Sequence, residues 1–440
     1  MRLNNNLFMM PIKQFNAIEC LGNVHISDKI QYDIRRFTLD VIFLVFKNVN
    51  VFIVADSLLK NTFSQKERCT MTATKGLEGI VAATSSISSI VDGVLTYRGY
   101  DINDLALHAS FEEVAYLLWF GKLPNVQELN DLKQDLDTFA PIPQTLIEQM
   151  KLYPKDTNAM AALRTAISAL ALFDEEADDM SRTANEKKAV KLQAQLPTIV
   201  AALSRIRQGK EPVPPQKGLT IAENFLFMLR GEQPDETSIK ALDQALVLHA
   251  DHEFNASTFT ARVTVATLSD IYSGVTSAIG ALKGPLHGGA NEAVMKMLEE
   301  IGGLEQVESY IQNKLNKREI IMGFGHRVYK NGDPRAKYLQ KMSRELSEMK
   351  GNSNLYEMSV KIEEMVTGQK GLKPNVDFYS ASVYTQLGIE RELFTPIFAI
   401  SRVSGWTAHA LEQWVDNRII RPRAEYIGLH DQKYISIELR

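Results

Sequence analysis

Cysteine is nearly missing from this sequence. Of 440 residues only Cys20 and Cys69 are cysteines, and both precede Met71. From Met71 onward neither a disulfide framework nor a Cys-ligated zinc site can form, and a reducing cytoplasm is the simple reading. A surplus of one charge sign is also missing. With 49 basic and 53 acidic residues the net charge is −4, so no global field favours nucleic acid or an anionic membrane as partner. Long hydrophobic runs are lacking as well. Val41 to Phe46 and Val49 to Ala55 are apolar, but Lys47, Asn48 and Asn50 leave the stretch too short and too polar to span a bilayer. It lies too far from the first residue for a secretory signal, and no clear small-residue cleavage site follows. There is no fixed-period repeat and no low-complexity tract. What remains is 45% hydrophobic and 23% charged, ordinary for a soluble globular protein. The length calls for two domains or one large one.

Residues 1–70 differ from the rest: they are rich in Asn and Phe, lack a helical period and hold both cysteines. The stretch from Met71 to Gly79 reads as a natural start, so residues 1–70 are expected to be an atypical extension outside the working fold. A genuine accessory arm is the other reading. Ile87 to Ile90 and Val94 to Tyr97 flank Asp92-Gly93, a hairpin turn pair. Helical patterns then dominate. Ser110 and Glu113 form a capping box ahead of Val114 to Trp119, which stops near Gly121 and Pro124. Further helices are expected over Met160 to Phe173, Lys188 to Arg207, Ala222 to Leu229, Phe259 to Leu282 (with Gly274 and Gly280 permitting close packing), Glu305 to Lys317, Arg335 to Met349 and Thr395 to Val415. No run of β-branched residues suffices for a central sheet, so the expected fold class is all-α.

Chemistry-bearing residues gather in five segments. In Leu248 to Thr258, His249 and His252 are three apart, on one face if helical, with Asp251 and Glu253 nearby. The spacing is not that of His-Glu-x-x-His zinc hydrolases, so structural or substrate-binding histidines fit better than a metal site. In Lys283 to Asn291, glycines flank His287 and precede a helix over Glu292 to Ile301. There the helix N-terminus would keep His287 neutral and a hydrogen-bond donor; a tight turn with an exposed His explains the same residues equally well. Gly323 to Arg335 is the densest segment. Asp333 suits an N-cap and Pro334 a first helical position, and His326, Lys330 and Arg335 together describe an anion pocket. Asp377 is bracketed by Val376 and Phe378, so desolvation would raise it toward general-base range; an N-cap Asp is the commoner use of such a residue. Arg402 lies within an apolar helix and needs an anionic partner. Arg421, with Arg418 and Arg423, could be only a basic surface.

Taken in order, Asp251-His252-Glu253, Gly284 to Asn291, Gly323 to Arg335 and Asn375 to Phe378 resemble the motifs of citrate synthases. Tyr97 to Tyr100 is similar to that family's N-terminal hairpin. The resemblance covers about Met71 to Arg440 and is close to the short bacterial enzymes of Gram-positive type; residues 1–70 match nothing in it. It implies condensation of acetyl-CoA with oxaloacetate and water to citrate and CoA, without metal or other cofactor. His287, His326 and Asp377 would be catalytic. His287 would hydrogen-bond the thioester oxygen, Asp377 would remove the methyl proton, and His326 would polarise the ketone of oxaloacetate. His252, Arg335, Arg402 and Arg421 would hold the dicarboxylate, with Arg421 reaching across a homodimer interface. Backbone of Ile320, Ile321, Met322, Gly323, Phe324 and Gly325 would hold adenine, and Lys330 would meet a CoA phosphate. A large domain of residues 71–287 and 386–440 and a small domain of residues 288–385 would enclose the cleft.

Three rivals bear on the same residues. A 2-methylcitrate synthase would use propionyl-CoA, and one methylene is worth only about 1–3 kcal/mol in an apolar pocket. A catalytically dead helical protein would lose nothing when Asp377 becomes Asn. A metal-dependent hydrolase built on His249, Asp251 and His252 would be abolished by EDTA.

Overall fold

The computed structural model describes residues 75–77, 79–326, 328–329 and 331–440. The expected extension over residues 1–70, with Cys20 and Cys69, lies outside the described residues, as does Lys330. The chain divides into two units, Met1–Ile80 and Val81–Arg440. Of the first, only the short turn Lys75–Leu77 with Gly79 and Ile80 is described.

The second unit is all-α apart from one small antiparallel sheet. Strands β1 (Ser88–Val91) and β2 (Val94–Tyr97) are joined by Asp92 and Gly93, whose positive φ values of 52° and 81° give the tight turn that matches strand twist. A two-residue strand, β3 (Tyr100–Asp101), extends the sheet.

Sixteen α-helices follow among the described residues. The first four are α1 (Ile102–His108), α2 (Phe111–Phe120), α3 (Val126–Phe139) and α4 (Gln144–Lys151). The expected capping box is present on α2, with Ser110 and Glu113 bonding reciprocally, and Gly121 ends it in the left-handed conformation. Next come α5 (Ala159–Leu170), α6 (Arg182–Arg207), α7 (Ile221–Arg230) and α8 (Glu236–His249). Helix α6 starts ahead of the expected Lys188, because the Ser181 side chain accepts the Ala184 N–H and sets the N-cap there.

The expected single helix from Phe259 to Leu282 is two helices, α9 (Ala256–Val265) and α10 (Ile271–Leu282). Leu268 takes a φ of 66° and Asp270 caps the second helix through the Ser273 N–H. An unbroken apolar period concealed that local stop. Gly274 does permit close packing, since a Cβ there would meet Val265 at 2.6 Å; Gly280 would meet Arg164 only at an ordinary 3.7 Å.

The remainder is α11 (Ala290–Ile301), α12 (Val307–Asn316), α13 (Ala336–Lys350), α14 (Asn354–Lys370), α15 (Val376–Gln386) and α16 (Phe394–Val415). Helix α16 is almost wholly buried and packs against α2, α6, α8, α9 and α10, so it forms the axis on which the site is built. After Val415 the chain runs to Arg440 without further α-helix.

Candidate active site

Helix α8 ends at His249, so His249 and His252 do not share a helix face as one reading of the sequence required. His249 is fully buried, its Nδ1 2.7 Å from the Ala245 carbonyl one turn back. His252 sits beyond the helix end in a tight loop whose next residue, Glu253, has a φ of 48°. Asp251 is buried against Ser88 and His409. The donors of the proposed metal centre therefore face different partners. Among the described residues no group of three or more His, Cys, Asp or Glu side chains is placed to hold a metal ion.

His252 and His326 face each other, with ring centroids 5.3 Å apart. Tyr329 joins them: its hydroxyl is 3.1 Å from His252 Nε2 and its ring 4.6 Å from that of His326. Burial, with the charges of Arg335 and Arg402, pushes His252 well below the ordinary histidine range and keeps it neutral. His326 Nδ1 receives the backbone N–H groups of Val328 at 3.0 Å and Tyr329 at 3.2 Å. Those groups can only donate, so the ring proton lies on Nε2.

His287 has the opposite tautomer. The Ser257 backbone N–H points at its Nε2 at 3.3 Å, which leaves the proton on Nδ1. The Ser257 hydroxyl lies 2.8 Å from the same nitrogen and accepts from the Trp406 indole at 3.1 Å. Burial, helped by Arg402, pushes His287 down to about 4, so at neutral pH it is an uncharged N–H donor. It stands in the turn before α11, whose N-cap is Gly289. The turn is as tight as the glycines suggest, since a Cβ on Gly288 would meet Leu282 at 2.6 Å.

Asp377 is the second residue of α15; the N-cap is Asn375, whose side chain accepts the Asp377 N–H at 3.0 Å. The helix start thus leaves the Asp377 carboxylate free of capping duty. Its Oδ1 is buried without a hydrogen-bond partner, and burial, the largest influence, pushes the carboxyl up to about 7. The loop of His326 is stitched to this helix start. Gly325 N–H donates to the Lys373 carbonyl and Asn375 N–H to the Gly323 carbonyl, both at 2.9 Å. The Asn375 amide closes the ladder on the Gly325 carbonyl at 3.0 Å. Gly323 has a φ of 83°, and a Cβ there would lie 2.8 Å from both Phe378 and Val294. Phe324 packs its ring 4.6 Å from that of Phe378. Of the adenine candidates, Ile321 is buried, Met322 is half-buried and Ile320 is exposed.

Asp333 does more than cap. Its Oδ1 accepts the Arg335 N–H at 3.1 Å and its carbonyl the Ala336 N–H at 3.1 Å, in the turn that leads into α13. Its two oxygens also grip the Arg335 guanidinium at 2.9 and 2.8 Å, and Oδ2 accepts the Val376 N–H at 3.1 Å. Burial alone would raise Asp333, but Arg335 outweighs it and holds the carboxyl below the usual range. Arg402 is 1% exposed. Its Nε donates to the His249 carbonyl at 2.7 Å and its guanidinium lies over Phe398 at 4.6 Å. Burial pushes it down to about 10, with Asp251 partly compensating. Among the described residues no carboxylate pairs with it directly, so it is a buried cation suited to an external anion. Arg421 is exposed, beyond the end of α16.

The sequence reading overlooked Ser257, Tyr329 and the pairing role of Asp333. Ser257 and Tyr329 stood inside the highlighted segments but carry no recognisable signal; only the fold aims them at the histidines.

The fold is all-α apart from one small sheet, and no metal-binding cluster stands among the described residues. Residues 76–423 match the family model "Citrate synthase, C-terminal domain". The chain belongs to the citrate synthase family. It is 63% identical over 371 residues to citrate synthase 2 of Bacillus subtilis, covering 84% of this chain and all of that one. It is 43% identical to a 2-methylcitrate synthase of Mycobacterium tuberculosis, covering 82% of this chain and 92% of the relative. Among solved structures it resembles the ternary complex of carboxymethyl coenzyme A and oxaloacetate with the citrate synthase of Thermoplasma acidophilum. That match is 36% identical with a TM-score of 0.78, over 82% of this chain and 98% of the other.

Proposed function

We propose that this chain condenses acetyl-CoA with oxaloacetate through one carboxylate base and two neutral imidazoles of opposite tautomer. Asp377 Oδ1 takes a proton from the acetyl methyl group. The charge that appears on the thioester oxygen is met by the Nδ1–H of His287. The resulting enolate carbon attacks the ketone carbon of oxaloacetate; the new alkoxide takes the Nε2 proton of His326, which is replaced by the proton that Asp377 releases through solvent. Water then cleaves the citryl-CoA thioester, releasing citrate and the CoA thiol. A preorganised donor of this kind is typically worth ~10²–10³ in rate, and the base ~10²–10⁴.

Arg335, Arg402 and His252 hold the dicarboxylate, and Arg421 completes the grip from a second copy of the chain. The dimer reading draws support from the segment around Arg421, where Tyr426, Ile427, Leu429 and Tyr434 are 65% to 93% exposed. Apolar exposure on that scale marks an interaction surface. Residues 288–385 act as a small domain that closes on the larger one, residues 71–287 with 386–440, to keep water away until the carbon–carbon bond exists. Backbone over residues 320–325 holds the adenine of CoA, with Lys330 meeting a phosphate. The enzyme works in the cytoplasm; no helix among the described residues is long and apolar enough to cross a membrane.

The observation that carries the reading is the buried, unpartnered Asp377 oxygen held near neutrality. A thiol-release assay with oxaloacetate tests it, run with acetyl-CoA or propionyl-CoA and with or without EDTA. Release with acetyl-CoA, unaffected by EDTA, supports the synthase; preference for propionyl-CoA turns it into the 2-methyl enzyme; loss with EDTA overturns it.

A further inference from the structure

His252 does not stand on a regular element. It occupies the loop between the end of α8 at His249 and the N-cap of α9 at Asn255, and its neighbour Glu253 is held at a positive φ. A left-handed Glu is costly, about 1–3 kcal/mol, and persists only when its surroundings impose it. Two elements distant in sequence do so.

From one side comes the hairpin. The Ser88 hydroxyl donates to Asp251 Oδ2 in a short bond and accepts the Glu253 N–H at 2.9 Å. The Glu253 carboxylate accepts the Ile90 N–H at 2.6 Å. From β2, the Tyr97 hydroxyl donates to the Asp251 carbonyl at 3.0 Å. From the other side comes α16, where Arg402, Gly405 and His409 share one face. Arg402 reaches the His249 carbonyl. A Cβ on Gly405 would lie 2.4 Å from Asp251 Oδ1 and 2.5 Å from the Ala250 carbonyl, so only glycine lets the loop settle on the helix. His409 Nε2 is 3.3 Å from Asp251 Oδ2. Its Nδ1 faces Arg262 Nη1 at 3.2 Å, and since arginine only donates, the proton must sit on Nε2, aimed at Asp251. Arg262 is fixed in turn by Glu412 at 2.7 Å, and Glu412 accepts the Ser86 N–H at 2.7 Å just ahead of the hairpin.

We infer that Ser88, Asp251, Glu253 and His409 are positioning residues for oxaloacetate, clamping the strained loop between the N-terminal hairpin and α16 so that His252 meets the dicarboxylate. The inference rests on the synthase reading, in which His252 binds oxaloacetate. Substrate and transition state would feel this grip equally, so loosening it raises KM for oxaloacetate and leaves kcat nearly intact.

The test compares the full chain with Ser88→Ala, Ser88→Thr, His409→Ala and His409→Gln, using Ser89→Ala as control. Ser89 lies on the same strand but bonds only across the hairpin, to Thr96 at 2.8 Å. Ser88→Ala and His409→Ala are expected to raise oxaloacetate KM roughly ten- to hundredfold, the scale of a misplacement near 1 Å. Their kcat and acetyl-CoA KM should stay within about twofold of wild type. Ser88→Thr and His409→Gln, which keep the hydroxyl and a donor, should recover most of the loss, and Ser89→Ala should change nothing. If Ser88→Ala does not fold, the His409 pair decides the outcome alone. Unchanged oxaloacetate KM, or losses spread equally over both substrates and shared by Ser89→Ala, would overturn the clamp while leaving the synthase reading intact. A wild-type chain without turnover would overturn both.

Discussion

Replacing Asp377 with Asn should make the protein inactive and more stable at once, and the sign of the second effect follows from the structure. Burial raises the Asp377 carboxyl from an ordinary 3.8 to about 7, and its Oδ1 has no partner. Between those pH values the folded chain holds a proton that the unfolded chain has lost. Stability therefore falls as pH rises through this window, and above it the folded chain carries the whole penalty. Each tenfold change in a protonation equilibrium is worth about 1.4 kcal/mol, which bounds the penalty at about 4 kcal/mol. Asp377 is only half-buried overall, so solvent screening reduces this to about 1–2 kcal/mol. Asn keeps the shape and removes the charge. Guanidinium unfolding should find Asp377→Asn more stable than wild type by that amount at pH 8, with the difference gone at pH 4. The same variant should lose ~10²–10⁴ in kcat, and wild-type kcat should fall as pH drops through about 7 and the base protonates. An Asn variant no more stable than wild type at pH 8, or one that keeps its kcat, would refute a carboxylate held strained for proton abstraction.

Arg335→Gln should raise oxaloacetate KM strongly and destabilise the fold by about 3–5 kcal/mol, because Asp333 is left as an unpaired buried charge; Asp333→Asn in the same chain should recover part of the stability but not the KM. Ser257→Ala should lower kcat without changing oxaloacetate KM, since it frees His287 Nε2 from a hydroxyl 2.8 Å away. Steady-state kinetics on both substrates separates the two effects. Gly323→Ala should cost stability by about 2 kcal/mol or more, as a left-handed alanine would press on Phe378 and Val294; a variant with wild-type unfolding would show that this turn relaxes freely.

Local signals carried much of the fold. The capping box at Ser110, the Asp92-Gly93 turn and the stop at Gly121 each depend on bonds among neighbours in sequence, and each stands as the residues dictate. The site was legible to a different extent. His287, His326, Asp377, Arg335 and Arg402 drew attention because glycines, apolar brackets and a charge inside an apolar helix are unusual locally, but their proposed roles came only with the resemblance to citrate synthases. Their partners were not nameable. Asp333 reads as an N-cap and does accept the Arg335 N–H, but nothing in the sequence shows that the same carboxylate grips the Arg335 guanidinium. The break between α9 and α10 escaped for a similar reason: hydrophobic period continues through it, and only the Leu268 backbone and the Asp270 cap end the helix.

The three histidines show why such partners decide the chemistry. His252, His287 and His326 are one residue type, yet a tyrosine hydroxyl, a backbone N–H from Ser257 and two backbone N–H groups from Val328 and Tyr329 give them different roles. Backbone donors cannot be titrated or turned into acceptors, so they fix a tautomer at every working pH. His287 thereby offers Nδ1–H and His326 offers Nε2–H, and under the proposed function each would serve a different carbonyl. A cation in either place would hold the ground-state oxygen strongly and lose its proton readily to solvent. A neutral imidazole gives its strongest hydrogen bond only when charge develops on that oxygen, so under the proposed function the backbone that surrounds the rings would set the selectivity for the transition state.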